Sequence, residues 1–254
     1  MSEPRVIRLQ ASGKDLDYQA PNTVLEALER GGYALPNNCR AGTCGECKCK
    51  VTGGTFDQGV ILDMALTDEE RAAGYALTCM AKPTSEVLEI EYGTLNALPK
   101  LFPPRKDARF IVTDWVMRTR RIAEIRIRPL GDDLRFWPGQ YIMVGDPAAG
   151  IPPRQYSIAN APRPDGEISL LVTLADGGVT SGWIHHTVRP GKRLSVSGPY
   201  GTFVGDPGVD GPILCLAAGS GLAPILSLAE AAMPRGSRQP VAVACSARVA
   251  SAHT

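Results

Sequence analysis

Cys39, Cys44 and Cys47 follow the order C-x4-C-x2-C, with Cys79 a further 32 positions on, and four thiolates in this spacing can surround a [2Fe-2S] cluster. The constraint on the fold is severe, because three ligands on one tight loop need a backbone that wraps the inorganic core closely. Gly42 and Gly45, within Arg40-Ala41-Gly42-Thr43-Cys44-Gly45-Glu46-Cys47, supply that freedom. Zinc sites usually pair two short C-x2-C knuckles, and only one is present. An odd count of seven cysteines suits a disulfide framework poorly. Cys49 breaks the spacing and reads as a small packed hydrophobe, as do Cys215 and Cys245 in their apolar runs.

The surroundings of the cysteines order themselves around this loop. Val6 to Gln10 and Leu16 to Gln19 flank Ser12-Gly13-Lys14 and predict a hairpin. Thr23-x-x-Glu26 is a capping box that opens a helix through Arg30, and Gly31-Gly32 stops it. Thr67-x-x-Glu70 caps a second short helix ending at Gly74, which places Cys79 on the segment after it. Hairpin, helix, cysteine loop and strand in this order resemble the β-grasp fold of the plant-type [2Fe-2S] ferredoxins, and the resemblance covers residues 1–92. It implies that Cys39, Cys44, Cys47 and Cys79 are the metal ligands.

A chain of 254 residues accommodates one or two ordinary domains and part of a third. Met1-Ser2-Glu3-Pro4-Arg5 begins no signal peptide, and no apolar run reaches the roughly 18 residues of a membrane span. With four cysteines assigned to a cluster, the expectation is a soluble cytoplasmic protein without a membrane partner. The net charge of +1 conceals an asymmetry. Residues 1–100 hold 10 basic against 14 acidic side chains, and the remainder 17 against 12, which suits internal electrostatic complementarity or an oppositely charged docking partner. No basic stripe with interleaved aromatics exists, and nucleic acid is not an expected partner.

Residues 93–106 are proline-punctuated and aperiodic, which predicts a linker. Beyond it, Phe110 to Val116, Ile122 to Ile127, Tyr141 to Val144, Gln155 to Ala159, Ile168 to Leu174 and Arg193 to Ser197 predict six strands of a small antiparallel barrel over 107–208. The expected fold class is therefore α+β followed by all-β, with an incomplete α/β unit at 209–254.

Four short motifs punctuate the barrel: Pro138-Gly139-Gln140-Tyr141, Arg154-Gln155-Tyr156-Ser157, Gly177-Gly178-Val179-Thr180-Ser181 and Gly198-Pro199-Tyr200-Gly201. Their order and spacing resemble the ferredoxin-reductase flavoproteins, which implies FAD. A flavin dinucleotide needs an aromatic face, a donor near the ring nitrogen N5, and cations with free N–H groups at its pyrophosphate. By the resemblance, Arg154 neutralises the pyrophosphate, Tyr156 packs on the ring and Ser157 donates near N5. Gly177, Gly178, Val179, Thr180 and Ser181 present a glycine turn and a helix N-terminus to the phosphates. His185 and His186, just downstream, read as surface or packing residues, because electron transfer through a flavin needs no imidazole.

Pro212 to Ala217 is a continuous apolar run typical of a covered parallel strand. Gly219-Ser220-Gly221-Leu222-Ala223-Pro224 comes next, opening a helix that reaches Met233. Gly219, Ser220, Gly221 and Pro224 resemble the nicotinamide-nucleotide turn of the same reductases, which implies NAD(P)H. Pro240 to Cys245 predicts a second parallel strand, and Ser246-Ala247-Arg248 roughly matches the Gly-Ala-Arg found after this strand in the family. Val249 to Thr254 matches nothing, and one strand-helix-strand piece leaves apolar faces uncovered. The expectation is a shortened or frame-disrupted form, or a domain completed by another chain.

Taken together, the resemblance implies the NAD(P)H-dependent reductase component of a multicomponent oxygenase. Electrons would pass through FAD and the cluster to a terminal oxygenase or hydroxylase, with no catalytic acid or base. Two alternatives stand beside it: an electron carrier without its own NAD(P)H activity, and a non-productive gene fragment. Because the segments that the resemblance expects over the nicotinamide ring do not follow, the expectation is fast reduction by dithionite and very slow reduction by NADH or NADPH.

Overall fold

A computed structural model describes residues 5–37, 39–92, 101–205, 211–233 and 240–246. The chain divides into two compact units, Met1–Pro103 and Pro104–Thr254.

The first unit begins with the expected hairpin, β1 (Arg5–Leu9) and β2 (Lys14–Tyr18), paired antiparallel. Helix α1 (Val24–Arg30) comes next, and both halves of the Thr23/Glu26 capping box are formed. After the cysteine loop come β3 (Lys48–Gly53), the two-residue β4 (Phe56–Asp57), α2 (Asp68–Ala72) behind its Thr67/Glu70 capping box, β5 (Tyr75–Leu77), β6 (Lys82–Pro83) and β7 (Val87–Ile90). The main sheet runs β2-β1-β7-β3-β5, with β1 and β7 parallel. This is a β-grasp arrangement, in which α1 lays Val24, Leu25, Ala27 and Leu28 on the sheet's Ile7, Leu9, Leu88 and Ile90. All eight are buried, and sinking each large aliphatic side chain contributes about 1.5–3 kcal/mol.

In the second unit β8 (Arg105–Met117), β9 (Ile122–Pro129), β10 (Tyr141–Asp146), β11 (Ile151–Ser157), β12 (Ile168–Thr173) and β13 (Arg193–Tyr200) form one antiparallel sheet in the order β11-β10-β13-β8-β9-β12. A bridge between Ile158 and Leu170 joins the two ends of that order and curls the sheet toward a barrel. Inward residues alternate as the pleat requires: Ala123, Ile125 and Ile127 are buried, while Glu124, Arg126 and Arg128 face outward into ion pairs. Helix α3 (Val179–His186) packs on this sheet, burying Ile184 in its core.

All six sequence-derived strands are present, with two shifts. β11 starts at Ile151, four residues earlier than expected, and takes in Pro152 and Pro153. It is an edge strand, where a missing N–H costs no ladder bond. β8 starts at Arg105, inside the expected linker, because β13 pairs with it as far as Arg105. The rest of that linker, 93–100, lies outside the described residues.

Two further strands, β14 (Ile213–Ala218) and β15 (Val241–Ser246), pair in parallel around α4 (Leu222–Ala232). The helix is tied to the barrel by the Ser227 hydroxyl donating to Asn160 O at 2.7 Å and by Ala161 N donating to Glu230 at 3.0 Å. One face of β14 buries Cys215, whereas Leu214 and Leu216 on the other face are 66% and 68% exposed. Cys245, expected to be packed, is exposed, because no described residue covers that part of β15. Residues 247–254, including the expected Ser-Ala-Arg match beyond Ser246, lie outside the described residues.

Candidate functional site

The cysteine loop is shaped by its backbone. Gly42 and Gly45 have φ of +68° and +76°. A Cβ on Gly42 would stand 2.8 Å from Ile61 Cγ2, and one on Gly45 2.9 Å from Ala65 O, so a side chain is excluded at either position on both grounds. The 58–66 segment therefore lies directly against the loop, an approach secured by Leu62 N donating to Gly42 O at 3.0 Å. Thr78 closes the other side, its hydroxyl donating to Cys47 O at 3.0 Å.

The sulfurs fall into two neighbouring pairs, Cys39 with Cys44 and Cys47 with Cys79. Burial alone would push the Cys39 thiol up, but hydrogen bonds from Thr43, from the N–H groups of Ala41 and Thr43 and from Cys44 bring it down to about 6. The backbone N–H groups of Ala41 and Thr43 lie 3.4 and 3.3 Å from Cys39 Sγ. Cys47 is also held at about 6, chiefly by the hydrogen bond from Cys79 against burial, and Cys79 is raised as the partner that keeps the proton. Among the described residues no three His, Cys, Asp or Glu side chains converge as one metal ion would require. Two neighbouring pairs of sulfurs, each with one member held down to about 6, fit a two-iron core instead, in which each iron takes two thiolates. Cys49 differs sharply: buried beside Glu91, it is pushed up to about 11 and donates to Glu91 O at 3.2 Å. That is a packed neutral thiol, as its spacing predicts.

In the second unit strand register gathers the four barrel motifs. Tyr141 pairs with Ser157 on β11 and with Tyr200 on β13, and the Tyr141 and Tyr200 rings sit 5.7 Å apart. Buried Gln140 links two of the motifs by donating to Gly201 O at 3.0 Å and accepting from Trp137 N at 2.8 Å. The motif Pro138-Gly139-Gln140-Tyr141 marks this position, but the glutamine's bonding role depends on a partner far along the sequence.

Arg154 lies exposed on β11, while Tyr156 is half-buried against the barrel core and burial raises its phenol to about 12. The first turn of α3 is fastened beside them by the Thr180 hydroxyl, which donates to Pro152 O at 2.5 Å. Thus Arg154, Tyr156, Ser157 and Gly177 to Ser181 are brought onto adjoining elements. The hydroxyls of Thr180 and Ser181 serve the fold: Ser181 accepts from Ala175 N at 3.1 Å and donates to Gly178 O at 3.3 Å. Only main-chain N–H groups of this turn remain for a phosphate. The exposed cation, aromatic face and helix N-terminus fit a flavin dinucleotide. His185 is a packing residue, 3% exposed and bonded through Nε2 to Val172 O at 2.9 Å, and His186 is exposed.

Gly219, Ser220 and Gly221 form a 3-10 turn between β14 and α4, with φ of +54° at Gly219, and Pro224 lies in the first turn of the helix. The turn is exposed and lies near β12.

Comparison with known proteins agrees with both units. Residues 7–84 match the 2Fe-2S iron-sulfur cluster binding domain, and residues 110–204 match the oxidoreductase FAD-binding domain. The chain is 35% identical to the aromatic O-demethylase reductase subunit of Amycolatopsis sp. (strain ATCC 39116 / 75iv2), over 89% of its own length and 68% of the relative's. It is 33% identical to the phenol 2-monooxygenase reductase component DmpP of Pseudomonas sp. (strain CF600), over 95% and 68%. The crystal structure of Amycolatopsis cytochrome P450 reductase GcoB superposes with a TM-score of 0.85 at 33% identity, covering 97% of this chain and 73% of that one. The chain thus spans about two thirds of the length of these curated relatives. It belongs to the oxidoreductase family of [2Fe-2S] and FAD reductases that are the electron-transfer components of oxygenase systems.

Proposed function

We propose that this chain takes electrons from NADH or NADPH and delivers them singly to a terminal oxygenase or hydroxylase. Bound at these sites, FAD would supply two-electron acceptance from a nicotinamide and a [2Fe-2S] cluster one-electron transfer. The residues of the chain bind and orient. Cys39, Cys44, Cys47 and Cys79 hold the cluster, and Ala41 and Thr43 direct their N–H groups at Cys39 Sγ. Arg154 and the N-terminal turn of α3 compensate the flavin's pyrophosphate, Tyr156 covers its ring and Ser157 offers a donor at its edge. Gly219, Ser220, Gly221 and Pro224 form the nucleotide's phosphate turn. No side chain has to move a proton.

The observation that carries this reading is the division of labour among the cysteines: the N–H groups of Ala41 and Thr43 point at Cys39 Sγ in the loop, while Cys49, two residues beyond Cys47, is buried and donates to Glu91 O. The acceptor's approach is supported by the loop packed against the cluster segment. Val60, Leu62 and Met64 are 88%, 49% and 82% exposed there, with Glu46, Asp57, Asp63, Asp68 and Glu69 exposed around them. An apolar centre with an acidic rim suits a partner whose rim is basic. The assignment of Cys39, Cys44, Cys47 and Cys79 to a cluster supports a reducing, cytoplasmic setting. No helix among the described residues is long and apolar enough to cross a membrane.

Anaerobic mixing of the protein, loaded with FAD and cluster, with NADH or NADPH tests the route. The flavin band should fall before the cluster band. A flavin fully reduced beside a cluster that stays oxidised would end the proposal.

A further inference from the structure

Arg40 stands between the ligand Cys39 and Ala41 with φ of +54°. A residue with a side chain adopts this left-handed conformation at a cost that glycine escapes, and the same loop uses glycine at 42 and 45. The side chain of Arg40 must therefore contribute something a glycine cannot. Its guanidinium grips Glu29 with both prongs, Nη1 to Oε1 at 2.5 Å and Nη2 to Oε2 at 2.9 Å. Glu29 sits on α1 and is 5% exposed, the one buried acidic or basic residue among the described residues of the first unit. A carboxylate in such a place stays ionised only with a partner of this quality. The consequence reaches the sulfur: once the chain has made its left-handed turn at residue 40, the N–H groups of Ala41 and Thr43 both point back at Cys39 Sγ.

We infer that the Arg40–Glu29 pair is a positioning device that anchors the cluster loop to α1, holds the left-handed turn and thereby sets the hydrogen bonds that tune the cluster's reduction potential and retention. N–H donors withdraw charge from a thiolate and favour the reduced cluster, so hydrogen bonding to sulfur is one of the levers on such potentials. The inference rests on the cluster assignment above.

A positioning role and a simple charge effect predict different signs. In the FAD-loaded full chain, Arg40→Lys keeps the positive charge but loses the fork, and Glu29→Gln keeps the shape but removes the carboxylate charge that the fork grips. If the pair positions the N–H donors, both variants shift the cluster's midpoint potential to more negative values, read by EPR-monitored titration, and both lose iron faster to a chelator while circular dichroism stays unchanged. If only charge matters, Arg40→Lys leaves the potential where it was and Glu29→Gln moves it to more positive values; either result overturns the inference. Should Glu29→Gln fail to fold, Arg40→Lys decides alone. Absence of a [2Fe-2S] signal in the unsubstituted protein would instead defeat the cluster assignment, before any variant is compared.

Discussion

In the first unit, three of the four proposed thiol ligands lie within the nine residues from Cys39 to Cys47, on a loop that carries two left-handed glycines and the Arg40–Glu29 ion pair. In the second, Tyr141, Ser157 and Tyr200 come from three strands and meet only through pairing register. A one-residue slip would turn those side chains to the opposite face, whereas the cluster loop depends on register only for Cys79, which the pairing of Lys48 with Leu77 and the bond from Thr78 to Cys47 O hold in place. The difference teaches that the two sites should fail differently. The cluster site is covalent in character and closes or does not close. The flavin site sums several modest contacts and should weaken by degrees.

The sharpest way to break this comparison is at the ligands. Cys47→Ser should abolish the visible iron-sulfur absorption and leave the FAD content unchanged, whereas Cys49→Ser should retain full iron and sulfide. Equal iron loss in both variants would dissolve the distinction drawn from their opposite pKa shifts.

Graded loss is expected in the other unit. Arg154→Ala removes the exposed cation beside the proposed pyrophosphate position, a loss of about 1.5–3 kcal/mol on the scale of charged hydrogen bonds. FAD affinity should fall by about tenfold to a hundredfold, and a titration showing no change would take Arg154 out of the site. Smaller still, Thr180→Val deletes the hydroxyl bond to Pro152 O that fastens α3 to β11. About 0.5–1.5 kcal/mol of stability should go with it, with a few-fold weaker flavin. An all-or-none loss of FAD in this variant would show that the flavin site is as brittle as the cluster loop. A fourth test concerns the exposed loop beside the cluster: Met64→Lys, at 82% exposure, should slow reduction of the protein acceptor several-fold in salt-dependent fashion, without altering the cluster's EPR spectrum. Unchanged acceptor kinetics would remove that face from the encounter.

The same contrast explains what could be read from the residues. Both capping boxes, Thr23/Glu26 and Thr67/Glu70, and the cysteine spacing are local patterns, and each is realised in the structure. The six barrel strands were legible from their alternation, but two of their starts were not. Pro152-Pro153 argues against a strand until β11 is known to be an edge, and Arg105 and Lys106 look like linker until β13 is seen to pair as far as Arg105. The bond from Gln140 to Gly201 and the ion pair from Arg40 to Glu29 were invisible for the same reason, since each joins residues that only the fold brings together. Thr180 and Ser181 show the converse, where the position was anticipated but their hydroxyls turned out to serve the backbone.

The central claim is that electrons reach the cluster through the flavin, and removing FAD tests it most directly. The FAD-free chain with its cluster intact should be reduced by dithionite yet left oxidised by NADH and NADPH, and adding FAD back should restore reduction of the cluster by the nucleotide. A cluster that NADH or NADPH reduces at the same rate with and without FAD would contradict the account.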